Sequence, residues 1–244
     1  GVNPRAGLAS IVDAAETGDP TAAFVPPAQV NAARDPSLKP VRFVIVPGPP
    51  RGRANHPGVT PELYLQVVRA AQKVSDLVVV DTQIVEDERD DSGMVRRLML
   101  PLLTSGAWGL GVADASRSGL SYLMSRPMQM VNRGVPANRL LALVNKVPDN
   151  VRIDASLLAE RMRSFSRLIG LVPARQELIA MANRGEVLVG TPALANPAQQ
   201  ILQLVCGTPV RTAPAQSDAQ PRTPGGGQDQ AKRKRWRLFG RKAA

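Results

Sequence analysis

Residues 74–91, VSDLVVVDTQIVEDERDD, carry the reading of this chain. Within them, residues 77–80 (LVVV) form an apolar, valine-rich run that stops at Asp81-Thr82. A run so short and so apolar fits a buried strand of a parallel sheet. Open α/β sheets hold ligands at the carboxyl ends of their strands. An aspartate there is therefore a candidate binding group. The plainer alternative is a strand that ends in a solvated Asp-Thr cap.

Outward from this stretch, strand-like and helix-like segments alternate. Residues 41–46 (VRFVIV) predict a strand ended by Pro47-Gly48-Pro49-Pro50. Residues 106–114 (GAWGLGVAD) predict another, whose glycines suggest close backbone approach. Residues 139–144 (RLLALV) end at Asn145-Lys146, and residues 169–172 end at Pro173. A short helix is expected over 8–15. A longer one runs from Pro61 to about 73, capped by Thr60, with Leu63, Val67, Ala70 and Ala71 on one face. Further helices are expected over 93–104, kinked or ended by Pro101, and over 116–133, kinked at Pro127. The remaining ones cover 153–168, 175–183 and 197–205. In the first of these Leu157, Leu158, Met162 and Phe165 form the apolar side. The alternation predicts an α/β fold, a mostly parallel sheet with helices on both faces.

Composition narrows the chemistry. Aromatic residues make up 3% of the 244, so the core is aliphatic. Cys206 is the one cysteine, which excludes an internal disulfide and predicts a small buried hydrophobe at a helix end. His56, the one histidine, lies in a Gly/Pro-rich loop, which gives no support to a His-based catalytic or zinc site. No run of 18 apolar residues and no signal-peptide pattern is present, which points to the cytoplasm. The chain opens at Gly1 rather than Met, as a fragment or processed product would.

From residue 207 the composition changes. Residues 207–231 are rich in Pro, Thr, Gln, Gly and Ser and predict a disordered linker. Residues 232–244 form a basic tail. Lys232, Arg233, Lys234, Arg235, Arg237, Arg241 and Lys242 supply seven of the charges behind the net +11, beside Trp236, Leu238 and Phe239. Three readings of the tail stand together. It is a solvated charge run, an anchor for an anionic membrane surface, or a nonspecific DNA contact with Trp236 stacking on bases. Membrane ranks above DNA because the cations adjoin apolar residues on a tether.

Several segments together resemble the MinD/ParA family of deviant P-loop ATPases, especially its members in pilus assembly and type VII secretion. DLVVVDTQ is similar to the family's second acidic motif, and the resemblance implies that Asp81 acts on Mg²⁺. LLALVNKV is similar to the strand ending in Asn-Lys or Asn-Arg, which places Asn145 at the adenine base. IGLVPARQELIAMANRGEVLVGTPALANPAQQILQLV resembles the closing segment, with Pro173 and Ala174 flanking the base. GVNPRAGL resembles the piece after the second strand, and the tail resembles the C-terminal amphipathic segment of MinD. The match covers about residues 1–206, a partial domain. It implies ATP and Mg²⁺ as ligands, nucleotide-dependent homodimerisation, and surface binding that positions cellular machinery, with a place on the inner face of the membrane as one outcome.

The departures bear on activity. The family's phosphate loop, KGGxGK[T/S], wraps phosphates with backbone N–H groups. Residues 48–58, GPPRGRANHPG, have no GK[ST], and their prolines remove donors. Asn3 stands where many members have Asp, and Gln83 replaces the usual Pro. The chain is thus expected to be either part of a larger ATPase or a degenerate relative. The first is favoured because loss of the family's first strand would expose two strand edges. Alone, the chain is expected to bind ATP weakly or not at all. A chain that completes the sheet is then an expected partner. A non-catalytic scaffold with the same fold, using the sheet for protein contacts, is the alternative, as is a ParA-type DNA-segregation protein.

Overall fold

The computed structural model describes residues 8–53, 55–82, 93–187 and 191–207. Residues 208–244, which hold the rest of the linker and the basic tail, residues 1–7 and the acidic run 86–91 lie outside them.

Three strands form the centre: β1 (Gly109–Asp114), β2 (Leu140–Val147) and β3 (Arg167–Pro173). They are parallel, in the order β1-β2-β3. Gly109 pairs with Leu140 and the register runs unbroken to Asp114 opposite Asn145. Between β2 and β3 it shifts at Ala142/Leu143 and again before Val147. The close approach expected of the β1 glycines is present. A Cβ on Gly109 would lie 2.8 Å from Leu140 Cδ2 and 3.2 Å from Leu103 Cδ2.

The two crossovers are helices, α5 (Arg117–Asn132) and α6 (Ala155–Met162). Consecutive parallel strands joined with one handedness place both crossovers on one face. The packing agrees: Leu123 from α5 and Leu158 and Met162 from α6 share one buried cluster with Ala142, Val144 and Phe165. Leu157, expected on this apolar side, is instead 45% exposed, because α6 turns only Leu158 and Met162 fully inward. α8 (Pro192–Cys206) touches β3 at Gly170, whose register partner Leu143 is out of phase with Ala142 and Val144. Helices therefore cover both faces at β3. Toward β1 the second face is open, with Leu110 and Val112 about half exposed.

The remaining helices follow their sequence signals. α1 (Ile11–Thr17) starts at a capping box in which the Ser10 N–H donates to Asp13 Oδ2 at 2.7 Å. α2 (Pro27–Ala32) opens on a proline. α3 (Pro61–Gln72) is capped by the Thr60 hydroxyl, which accepts the Leu63 N–H at 3.3 Å. Ile11, Val12 and Ala14 of α1 pack with Leu63 and Val67 of α3. A π-helical turn, Val95–Met99, leads into α4 (Leu100–Thr104), with Pro101 in the first turn of α4. The winding changes beside the residue that cannot donate an N–H. Pro127 is buried inside α5, which continues past it to Asn132. α7 (Gln176–Asn183) has no buried residue.

Two strand expectations are corrected. Residues 77–80 form no strand, and Val79 is 82% exposed. Residues 41–46 make one antiparallel bridge, Val25 to Ile45, and leave Phe43, Val44 and Val46 exposed. A β-branched run becomes a strand only beside another strand, and among the described residues neither segment has a neighbour that supplies a ladder. Cys206 is corrected too: it ends α8 and is exposed, since α8 buries only Pro197.

Candidate functional site

A cleft of about 730 Å³ runs along β1. β2 occupies one edge of β1, and the cleft is lined by β1 residues from both faces, Gly109 to Asp114, so it follows the other edge. Val80, Asp81 and Thr82 line it as well, together with α5 and the carboxyl end of β2. The walls are largely apolar. The polar groups come from Asp81 and Thr82, from the strand ends, and from α5 and its C-cap, which bring Ser118, Tyr122, Arg126 and Arg133.

At those ends Asp114 and Asn145 are register partners. Asp114 Oδ1 accepts the Ser116 hydroxyl at 2.5 Å and the Ser116 N–H at 3.0 Å. The Ser116 oxygen in turn accepts the Gly119 N–H at 3.0 Å and so caps α5. The Ser116 hydroxyl, then its N–H, hold the Asp114 carboxyl below the usual carboxylate range; the Lys146 charge adds to this and burial opposes it. This carboxylate is thereby committed to closing the turn between β1 and α5.

Because the folded-state value is depressed, Asp114 contributes stability above its ordinary titration range, and that contribution is lost as pH falls through the lowered value. Asp19 and Asp35, held low by Thr21 and Ser37, titrate in the same sense. Asp114→Asn should therefore flatten part of the acid loss of stability while the part from Asp19 and Asp35 remains. Urea midpoints measured across the acid range check this.

Lys146 follows Asn145 with φ 55°, the one non-glycine residue in left-handed backbone among those described. Its N–H donates to Asn145 Oδ1 at 2.9 Å. The left-handed conformation costs an L-residue about 1–2 kcal/mol, and glycine gives back about 0.5–1 through its freer unfolded state. Lys146→Gly is expected to raise stability by about 0.5–1 kcal/mol while removing a cation from the cleft. Thermal unfolding measures the gain.

Of the residues singled out in the sequence, Asp81 and Asn145 line this one cleft. Asp81 is exposed and lies outside any strand. Pro173 ends β3 opposite Val147, and the Ala174 N–H donates to Val147 O at 2.8 Å. Both sit one strand beyond the cleft lining. The tail residues 232–242 lie outside the described part. The roles of Asp114 and Ser116 as turn and cap, and the strained backbone of Lys146, were not foreseen. The Asp-x-Ser pattern after a strand-like run was the one available signal.

The fit to ATP and Mg²⁺ divides. Mg²⁺ commonly takes only one or two carboxylates, with phosphates and water completing its shell. Exposed Asp81 suits that role, and among the described residues no group of three or more His, Cys, Asp or Glu gathers as a metal cage. The loop 48–58 does not suit phosphates. The Arg53 N–H donates to Pro50 O, the His56 N–H to Arg53 O and the Gly58 N–H to His56 Nδ1. The Arg53 guanidinium is paired with Glu16, which also lies 3.9 Å from His56. These donors are spent in closing the loop. Among the described residues no helix is long and apolar enough to cross a membrane. No protein-family model, curated protein or solved structure matches the chain.

Proposed function

We propose that this chain is part of a MinD/ParA-like nucleotide-dependent switch that assembles or positions cellular machinery by dimerising and binding a surface. The observation that carries the reading is the meeting of Asp81, Asn145 and the carboxyl ends of β1 and β2 on one cleft of a parallel α/β sheet. That is where such sheets bind nucleotides. In this reading Asp81 holds Mg²⁺ through water and Asn145 meets the base, with Pro173 and Ala174 beside it. Bound Mg²⁺ supplies charge neutralisation at the phosphates. The phosphates themselves need a cradle that the loop 48–58 does not provide, so a further polypeptide segment contributes it. The tail from Lys232 to Lys242, with Trp236, Leu238 and Phe239, serves as the surface-binding element, on an anionic membrane before DNA.

The test is sedimentation of the protein isolated from its source, with any polypeptide that accompanies it, with and without ATP and Mg²⁺. ATP should raise the dimer fraction, and Asp81→Ala should abolish the rise. Dimerisation unchanged by Asp81→Ala contradicts the assignment. A second reading, a scaffold without catalysis, is favoured by the exposed apolar side chains of Phe43, Val44 and Val79. It predicts association that ignores nucleotide.

A further inference from the structure

β2 breaks its register at the residue assigned to the base. Val144 pairs with Leu171 and Val147 with Pro173, so Asn145 and Lys146 together stand against the single residue Val172. This is a bulge. Bulges re-aim side chains and gather beside binding sites. Lys146, inside it, is the one non-glycine residue in left-handed backbone among those described, at φ 55°. Backbone held in so sparsely populated a region recurs at ligand clamps. Both bulge residues line the cleft.

The bulge also decides which half of the Asn145 amide is left for a ligand. The Lys146 N–H is a donor, so the amide atom that meets it at 2.9 Å is the oxygen, Oδ1. One of the two Oδ1 lone pairs is thereby used. The Asn145 NH₂ has no partner among the described residues. Lys146 adds a second side chain that only donates. Asp114, the register partner of Asn145 on β1, has its Oδ1 committed to Ser116. The end of β2 therefore offers donors to the cleft and spends an acceptor on itself.

We propose that the Asn145-Lys146 bulge makes this site select a 6-oxopurine, so that guanine nucleotide binds more tightly than adenine nucleotide. The inference rests on the nucleotide reading above and specifies its base. Adenine presents the acceptor N7 beside the donor N6–H₂, and asparagine grips that edge with its oxygen and its NH₂ together. Guanine presents two acceptors, N7 and O6. The Asn145 NH₂ serves either purine at N7. At position 6 it and the Lys146 ammonium meet an acceptor in guanine and a competing donor in adenine. ATP still enters the site, but its amino group finds an oxygen already engaged by the Lys146 N–H.

The probes are ATP, GTP and ITP, each with Mg²⁺, titrated calorimetrically into the protein isolated from its source with any polypeptide that accompanies it. GTP should bind at least about fivefold more tightly than ATP, the low end of what one correct base-edge pairing contributes. ITP keeps O6 and N7 and lacks the 2-amino group, so it should match GTP. Asn145→Asp puts an accepting oxygen in place of the NH₂ and leaves the Lys146 N–H its partner. The ratio should then reverse in favour of ATP, whatever the overall loss of affinity. Asn145→Ala removes both halves of the amide and should shrink the ratio. Each readout is a ratio within one protein, so a loss of folded fraction does not imitate it. A smaller GTP preference, tighter binding of ATP, ITP weaker than GTP, or a ratio unchanged in either variant overturns the base selection and leaves the nucleotide reading standing. Binding of none of the three removes that reading, and the base selection with it.

Discussion

Replacing Met162 with alanine should lower the unfolding free energy by about 2–5 kcal/mol. Met162 is 0% exposed and ends α6 inside the cluster that joins both crossover helices to β2. Transfer of its side chain from water contributes about 1.5–3 kcal/mol, and the cavity left between Leu123, Val144 and Phe165 adds the rest. Its main-chain oxygen also accepts the Ser166 N–H at 2.8 Å and the Phe165 N–H at 3.0 Å, contacts that alanine keeps. The loss is therefore one of packing. Domains of this kind are stable by about 5–15 kcal/mol, so the variant forfeits a large share. Urea unfolding should show a lower midpoint at an unchanged slope. Leu157→Ala, one turn earlier on the same helix and 45% exposed, is the control and should change stability by less than about 0.5 kcal/mol. Equal effects at the two positions would mean that the cluster is not the core.

Gly119→Ala should destabilise the chain by about 1–3 kcal/mol, against the sign that helix propensity gives. Alanine in a helix interior is favoured over glycine by about 1 kcal/mol. At Gly119, however, a Cβ would stand 2.7 Å from the Asp114 main-chain oxygen, 3.2 Å from Ser116 Oγ and against Asp114 Oδ1. Main chain cannot swing aside as a flexible side-chain end can. Relief requires moving the start of α5 away from β1, which breaks the Asp114–Ser116 hydrogen bonds and the α5 cap together. Overpacking thus outweighs propensity. A melting temperature equal to or above that of the parent chain would show that the turn yields more easily than its contacts indicate. Ser116→Ala isolates the cap and should cost about 1 kcal/mol, within the usual range for a lost N-cap.

The strands and helices legible in the sequence were those whose signals are local and whose neighbours lie within the described chain. Thr60-Pro61 fixed the start of α3 by capping chemistry alone. β1, β2 and β3 form because each finds its parallel neighbour among the three. Residues 41–46 and 77–80 carry the same β-branched composition and make no strand, since pairing is a property of two segments rather than one. Leu157 and Cys206 were expected inward on apolar character; the rotation of α6 and the shallow seating of α8 decide otherwise. For the site, the fold rule put Asn145 near the carboxyl end of β2; Asp81 lines the same cleft although the strand expected to carry it does not form. The commitment of Asp114 to Ser116 was not legible, because an Asp-x-Ser spacing has the same appearance whether it caps a helix or stands solvated. The left-handed backbone of Lys146 has no local signature either, since glycine would be the expected residue there.

Nucleotide binding at the cleft beside β1, with the phosphate cradle supplied by an outside segment, is tested by calorimetric titration of ATP with Mg²⁺ into the protein isolated from its source, with its intact mass determined on the same preparation. A phosphate-loop segment in that preparation and one nucleotide bound per chain are expected, with affinity reduced at least tenfold, about 1.4 kcal/mol, by Asp81→Ala. Affinity indifferent to Asp81, or no nucleotide bound by a preparation that contains such a segment, would rule out the proposed nucleotide site.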